Sequence, residues 1–305
     1  MTNRRQFVIL AGPTATGKTK LAIQLTQFFH LALISADSRQ IYQQANIVTG
    51  KDHPSDHYLS CLDLLSPDQP SSIALWFDCA RQAALHAWQH HQLPLFVGGT
   101  GFYLKALTSN IETMTIPPNP SLRHQLNQLS LTQLQHRLQL LNLQRFQQLN
   151  QSDKANPRRL IRAIEIILYR QQHPLSSSPD NPFLSASFLF FILQPPSNYR
   201  QFIRQRVVAR LEAGAIQETQ ALLSQFGSRA PALQGIGYPL IIQYLQHQIN
   251  RSQLIEAWVQ AEYAYARRQL VWFKKQPFTH WLSADSPRLV SQVVKAIKNW
   301  YHEKV

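Results

Sequence analysis

Phe7-Val8-Ile9-Leu10-Ala11-Gly12-Pro13-Thr14-Ala15-Thr16-Gly17-Lys18-Thr19 is the stretch whose reading decides the fold of this chain. An apolar run leads into two glycines five apart, followed by Lys and Thr, which is the phosphate-binding loop pattern. Glycines let successive backbone N–H groups curl around phosphate oxygens. Gly12, Pro13, Thr14, Ala15, Thr16, Gly17, Lys18 and Thr19 are therefore the expected holders of a diphosphate or triphosphate. Lys18 adds a positive charge, and the Thr19 hydroxyl can ligate a magnesium ion carried by those phosphates. The spacing of Leu21, Ala22, Leu25, Phe28 and Phe29 predicts a helix from Lys18 to His30, whose N-terminus points its partial charge at the anion. A chance glycine turn is the alternative, and the order strand, loop, helix argues against it.

Outward from that loop, residues 6–112 alternate strand and helix signals, which predicts an α/β sheet of parallel strands. A second strand, Leu31 to Ser35, ends at Ala36-Asp37-Ser38-Arg39-Gln40-Ile41-Tyr42. Few signals mark Asn46 to Gln69. A helix is expected from Ile73 to His91, and then a strand from Leu93 to Val97 that runs into Gly98-Gly99-Thr100-Gly101-Phe102-Tyr103. Ligands of open α/β sheets bind beyond the carboxyl ends of the strands. The three strand ends should therefore converge on one crevice.

Pro117-Pro118-Asn119-Pro120 breaks the alternation, and residues 121–150 carry Leu and Gln at helical spacing. In Asn156-Pro157-Arg158-Arg159-Leu160-Ile161-Arg162-Ala163-Ile164-Glu165, Asn156 is a good N-cap and Pro157 a good first helical residue. Arg158 and Arg162 share a face with Arg159 beside them, while Ile161, Ile164 and Leu168 can pack on another. An arginine stripe facing a polyanion is one reading, a solvated amphipathic helix the other. Only Glu165 is near enough in sequence to neutralise the three arginines. After a Ser/Pro-rich connection from Gln171 to Pro182, Phe188 to Leu193 reads as a buried strand rejoining the sheet. Residues 114–186 are thus expected to form an all-helical domain inserted into an α/β core of 1–113 and 187–305. From Asn198 onward the chain reads as helical, with Gly214 and Gly227 at helix ends and an interruption at Gly235-Ile236-Gly237-Tyr238-Pro239. The last long helix interleaves Tyr263, Tyr265, Trp272 and Phe273 with Arg267, Arg268, Lys274 and Lys275; such aromatics stack on nucleotides or belong to the core.

With 305 residues and 44% hydrophobic content the chain has ample core material for one large domain or two. Cys61 and Cys79 are too few for a disulfide framework or a four-ligand zinc site, and suit a reducing cytosol. Met1 to Arg5 followed by a short apolar run superficially mimics a signal peptide, but that run leads directly into the phosphate loop. No apolar run approaches the roughly 20 residues of a membrane span. A cytoplasmic protein without a membrane partner is expected. The net charge of +14 is unevenly placed. Basic and acidic residues number 8 and 7 over residues 1–112, 8 and 3 over 113–187, and 14 and 6 over 188–305. A surplus spread so widely suggests a large polyanion such as nucleic acid, although an inert basic surface has the same composition.

Taken together, Gly12 to Thr19, Asp37 to Tyr42, Gly98 to Tyr103, Asn156 to Ala163, Ile236-Gly237-Tyr238 and Arg267-Arg268-Gln269-Leu270-Val271-Trp272-Phe273 resemble the tRNA dimethylallyltransferases (tRNA isopentenyltransferases) over nearly the whole chain. The resemblance implies a phosphate-loop nucleoside-triphosphate-hydrolase-like core with a helical insertion. It implies transfer of a dimethylallyl group from dimethylallyl diphosphate to N6 of the adenine immediately 3′ of the anticodon. The phosphate loop and magnesium would then hold a leaving diphosphate, stabilising its growing charge. An adenine amine is a poor nucleophile, so a carboxylate that takes its proton helps. Asp37 matches the family's catalytic aspartate, and Thr100 its threonine near the amine. From the residues alone, Asp37 could equally be an N-cap and Thr100 a turn residue. By the same resemblance Asp37, Ser38, Arg39, Gln40, Gly101, Arg123, Arg158, Arg159, Leu160, Ile161 and Arg162 contact the splayed-out anticodon stem-loop, gripped by insertion and core. A monomer is expected.

The chain departs from the family pattern at two places. Ile47-Val48-Thr49-Gly50-Lys51-Asp52 has Val48 in place of a glycine, and Glu262-Tyr263 replaces Thr-Arg, removing an arginine that normally faces the site. Two other readings share the loop: a prenyltransferase acting on free adenine nucleotides, and an ATP-dependent small-molecule kinase. A third, non-enzymatic, is an RNA-binding protein whose chemistry has decayed.

Overall fold

The structure, a computed structural model, describes residues 5–51, 58–173 and 181–302. Asp52 and most of the Ser/Pro-rich connection lie outside the described residues. In chain order the first elements are β1 (Gln6–Ala11), α1 (Lys18–Leu25), β2 (Leu31–Ser35), β3 (Leu59–Ser60), α2 (Ile73–Gln89), β4 (Leu93–Gly98) and α3 (Gly101–Thr108). Then follow α4 (Pro120–Leu126), α5 (Leu131–Leu141), α6 (Leu143–Gln148), α7 (Gln151–Lys154) and α8 (Pro157–Gln172). The last group is β5 (Ser187–Gln194), α9 (Tyr199–Glu212), α10 (Ala215–Phe226), α11 (Tyr238–Leu245), α12 (Arg251–Phe273), β6 (Thr279–Ser283) and α13 (Leu289–His302). Two compact units result, Met1–Ser109 with Asn181–Val305, and Asn110–Asp180.

The strands form one sheet in the order β3-β2-β4-β1-β5-β6, parallel throughout. Phe7 to Ala11 are fully buried because β1 is an inner strand, which explains why they read as a continuous apolar run rather than an alternation. Register sets the site: Ala11 pairs with Gly98 and Ile192, and Ser35 with Val97. The chain therefore leaves β1, β2 and β4 at one edge of the sheet, as their sequence endings suggested.

Two parts of this unit differ from the sequence reading. α1 stops at Leu25, five residues before His30, because the chain must reverse to enter β2 at Leu31. The Thr26 hydroxyl bonds back to the Ile23 carbonyl, and Phe28 is left half exposed. Beyond Asn198 the chain is not wholly helical, since β6 extends the sheet beside β5. Its alternating, partly polar residues suit an edge strand and give little apolar signal. α13 then lays Val293 and Ile297 against Leu21, Ala22 and Leu25 of α1.

Cys61 and Cys79 form a disulfide, with Cα atoms 5.9 Å apart, tying the segment after β3 to α2. This corrects the reading of two cysteines suited to a reducing cytosol: they are 18 residues apart in sequence and meet only when α2 packs on the sheet. Among the described residues no helix is long and apolar enough to cross a membrane.

The helical unit has its own core of Leu126, Leu134, Leu138, Leu160, Ile161 and Ile164. Its short helices are each started by a side-chain cap. Asn119, Ser130, Asn142, Asn150 and Asn156 accept N–H bonds in turn, and Pro157 follows Asn156 as the first residue of α8.

In the first unit, Glu218 of α10 organises the loop before Gly50. Its carboxylate accepts the N–H groups of Asn46, Ile47 and Val48 at 2.8, 2.6 and 3.0 Å, and the Tyr238 hydroxyl at 2.9 Å. Val48 is buried, and a Cβ on Gly237 would lie 2.8 Å from its Cγ1, so the valine fills space that Gly237 leaves open. Hydrogen bonds to a charged acceptor contribute about 1.5–3 kcal/mol each, and stranded N–H groups add a desolvation cost. Glu218→Ala should lower stability by about 3 kcal/mol, read as a lower urea midpoint at unchanged slope.

Candidate functional site

The phosphate loop leaves β1 at Ala11 and enters α1 through Gly17, whose φ of 78° lies in the left-handed region. Its carbonyls are tied inward. Pro13 O accepts from the Thr16 hydroxyl at 2.9 Å and from Lys18 Nζ at 2.6 Å, and Thr14 O accepts from the Tyr199 hydroxyl at 2.5 Å. Burial pushes the Tyr199 phenol well above its ordinary pKa, with the Glu262 charge adding to the effect, so it stays a neutral donor.

Opposite the loop, the ends of β2 and β4 are stitched together. Thr100 N–H donates to Ala36 O at 3.2 Å, and Ser38 N–H donates to Thr100 Oγ1 at 2.9 Å. Asp37 is half buried and accepts the Arg39 N–H at 2.9 Å. Two phenols face it. Burial, reinforced by the Asp37 charge, pushes Tyr265 up to about 12 and Tyr103 higher still, so both are neutral at physiological pH. Tyr103 stacks on Trp76 at 4.2 Å, and Trp76 Nε1–H donates to Ser35 O at 2.7 Å, which fixes the end of β2 from below. Gln40 Nε2–H donates to Gly50 O at 3.1 Å.

The loop residues Thr14 to Lys20, the strand end Asp37 to Gln40, and Val97 to Gly99 line one cavity of about 800 Å³. The expected convergence of three strand ends is thus realised within the α/β unit. The cavity is also lined by Glu262, Tyr265, Arg268 and Gln269 of α12, from the helix and motif that the sequence singled out, and by Arg206 and Arg210 of α9, which sequence reasoning missed. A Cβ on Gly50 would lie 2.3 Å from Arg210 Nη2 and 2.8 Å from Arg206 Nη2, so both guanidinium groups meet beside that glycine. Arg206 also donates to Thr14 Oγ1 at 3.4 Å, and Arg210 pairs with buried Glu262 at 2.8 Å. The substitution of Glu262 for threonine therefore has a partner, and the cavity keeps cationic groups although Tyr263 supplies none. Tyr263 lies off this cavity, 6.2 Å from the Tyr199 ring. The signal available in α9 was four arginines within Tyr199–Glu212.

Among the described residues no group of three or more His, Cys, Asp or Glu could hold a metal ion by itself. A magnesium ion that took most of its ligands from phosphate oxygens would need little more than the Thr19 hydroxyl, which lines the cavity. The donor set fits that arrangement.

In the helical unit the expected arginine stripe is divided. Glu165, 2% exposed, is gripped through two bonds by Arg123 at 2.9 Å each, by Arg162, and by the Asn119 N–H at 2.6 Å. Arg162 also donates to the Thr113 and Ile116 carbonyls. Arg159 pairs with Asp153, while Arg158 is exposed and takes part in none of the described ion pairs. Leu160 and Ile161 belong to the unit's core, so their side chains offer no surface for a partner. In the α/β unit, Gly101 abuts the Trp272 ring, where a Cβ would lie 2.5 Å from it.

A phosphate loop and the Asp37 carboxylate lining one cationic cavity define a group-transfer site of the phosphate-loop class. Known proteins make the class specific. A family model described as IPP transferase matches residues 40–276, and one described as isopentenyl transferase matches residues 5–62. A protein of Synechococcus sp. (strain WH7803) named tRNA dimethylallyltransferase is 36% identical over 294 residues, covering 93% of this chain and 91% of its own. Another of that name from Gloeothece citriformis is 32% identical over 303 residues, covering 96% of each. Among solved structures, the tRNA isopentenylpyrophosphate transferase of Bacillus halodurans superposes with a TM-score of 0.71 at 26% identity, covering 99% of this chain and 98% of its own. The chain belongs to the IPP transferase family.

Burial would raise the Glu165 pKa, but the bonds from Arg123, the Asn119 N–H and Arg162 outweigh it and hold the carboxyl below its ordinary value. A group depressed in the folded state adds stability above its unfolded pKa, near 4.3, and that stability is lost as pH falls through the lower folded value. Unfolding midpoints taken from pH 6 to pH 3 should therefore fall with acid. Glu165→Gln should be less stable at neutral pH and show a shallower acid dependence.

Proposed function

We propose that this chain transfers a dimethylallyl group from dimethylallyl diphosphate to N6 of the adenine immediately 3′ of the anticodon in tRNA. Family membership supports the reaction class, and the one cavity shared by the phosphate loop, Asp37 and Gly99 carries the reading. The backbone N–H groups of Ala15 to Thr19, with Lys18, bind the diphosphate, and Arg206 and Arg210 lie on the other side of the cavity. As the C1–O bond breaks, its electron pair passes to the diphosphate oxygen, where these groups stabilise the charge. The N6 lone pair forms the new bond to C1, and Asp37 takes the N6 proton. Thr100 Oγ1 accepts the Ser38 N–H and donates to Ser38 Oγ at 3.3 Å, a long bond that its hydroxyl exchanges for one to the amine that it orients. A magnesium ion carried by the diphosphate would be held by the Thr19 hydroxyl and would supply further positive charge to the leaving group.

The anticodon stem-loop is the proposed polyanion. Within Arg158 to Ile161, Arg158 is the residue available for a phosphate contact, since Arg159 is ion-paired and Leu160 and Ile161 are buried. Arg123 and Arg162 present the remainder of their guanidinium groups from the Glu165 clamp. Action in the cytoplasm as a monomer completes the proposal.

Asp37→Ala should lower prenyl transfer by about 10²–10⁴-fold while tRNA affinity stays within a few-fold. Equal loss of both would remove the base assignment. Arg158→Ala should weaken tRNA binding and reduce its salt slope by about one. An unchanged slope would return Arg158 to solvent.

A further inference from the structure

The amide of Gln269 touches both halves of the site. Its Oε1 accepts the Thr14 N–H of the phosphate loop at 3.1 Å, and its Nε2–H donates to the Gly99 carbonyl at 2.8 Å. The residue is 8% exposed, on a helix anchored by buried Ala266 and Phe273. A Cβ on Gly99 would lie 2.2 Å from Gln269 Nε2 and 3.1 Å from Gly12 O, so the turn after β4 passes close to both this amide and the phosphate loop. We infer that Gln269 is a positioning residue that couples occupancy of the phosphate loop to the placement of Thr100.

An anion in the loop attracts its N–H groups, and Thr14 N–H is held by Gln269. Any movement of Thr14 is passed to the amide, because its oxygen and nitrogen belong to one rigid plane. The nitrogen holds the Gly99 carbonyl, one residue before Thr100, and the Thr100 hydroxyl in turn accepts the Ser38 N–H beside Asp37. The carbonyl of Thr14 is fixed by Tyr199 and its hydroxyl faces Arg206, so the loop's freedom at this residue is concentrated on the Gln269 side. The bridge needs one acceptor and one donor in a neutral group. Glutamate lacks the donor and would repel a diphosphate; leucine lacks both.

Hydrogen exchange on the intact protein tests this with inorganic diphosphate and magnesium as the probe. In the wild type, diphosphate should slow exchange both in residues 7–21 and in residues 96–104. In Gln269→Leu the first response should remain and the second disappear. Gly99→Ala, which forces the amide away while leaving Gln269 in place, should give the same split. With prenyl transfer as the readout, Gln269→Leu should lower kcat by about 10- to 100-fold and leave KM for dimethylallyl diphosphate within roughly threefold. A response in residues 96–104 that persists in both variants, or is missing from the wild type, would overturn the coupling. Loss of the diphosphate response in residues 7–21 in both variants would make Gln269 part of the loop's scaffold and overturn it equally. The role of Thr100 toward the acceptor rests on the proposed function. The exchange response needs no acceptor, so a wild type that transferred no prenyl group would count against that function alone.

Discussion

A phosphate loop must turn its N–H groups outward, and its carbonyl oxygens must then be satisfied elsewhere. Here Pro13 O is taken by Thr16 and Lys18, and Thr14 O by Tyr199 from a helix 185 residues further along the chain. Much of the α/β unit follows from that requirement. α9 delivers Tyr199, Arg206 and Arg210 in one helix, and α12 crosses it to deliver Glu262 and Gln269. The Arg210–Glu262 pair is almost wholly buried, where removal of either partner would leave an uncompensated charge. It therefore ties the two helices that hold the loop, and brings a guanidinium to the cavity wall.

The basic surplus of the chain is partly spent on its own architecture. Arg123 and Arg162 share Glu165, which lets a buried carboxylate hold the start of α4 to the middle of α8. Arg159 is taken by Asp153. A count of arginines on a helix overstates the charge offered outward when carboxylates, here Asp153 and Glu165, fold against them. In the α/β unit the opposite holds: two of the four arginines of α9, Arg206 and Arg210, line the cavity.

The core of the fold was legible because its signals are local. An apolar run before a glycine loop, and strand ends marked by Asp37-Ser38 and Gly98-Gly99-Thr100, are short patterns fixed by one backbone geometry each. Asn156-Pro157 was legible for the same reason. β6 was not, because an edge strand with half-buried polar residues carries little periodicity. The Cys61–Cys79 bridge, the Glu218 clamp on residues 46–48 and the Gln269 bridge are long-range meetings of ordinary residues. Local sequence does not reveal these contacts, although Gln269 sits within the quoted motif Arg267 to Phe273. Leu160 and Ile161 show the converse: a motif placed them at an RNA contact, and the packing of the helical unit places their side chains inside it.

Transfer of radiolabel from dimethylallyl diphosphate, with magnesium and either unmodified tRNA or AMP as acceptor, tests the account most directly. Label in tRNA and none in AMP is the predicted result. Label in AMP alone would make the chain a prenyltransferase of free nucleotides, and tRNA bound without any label would mean that the site no longer performs its chemistry; either would contradict the account.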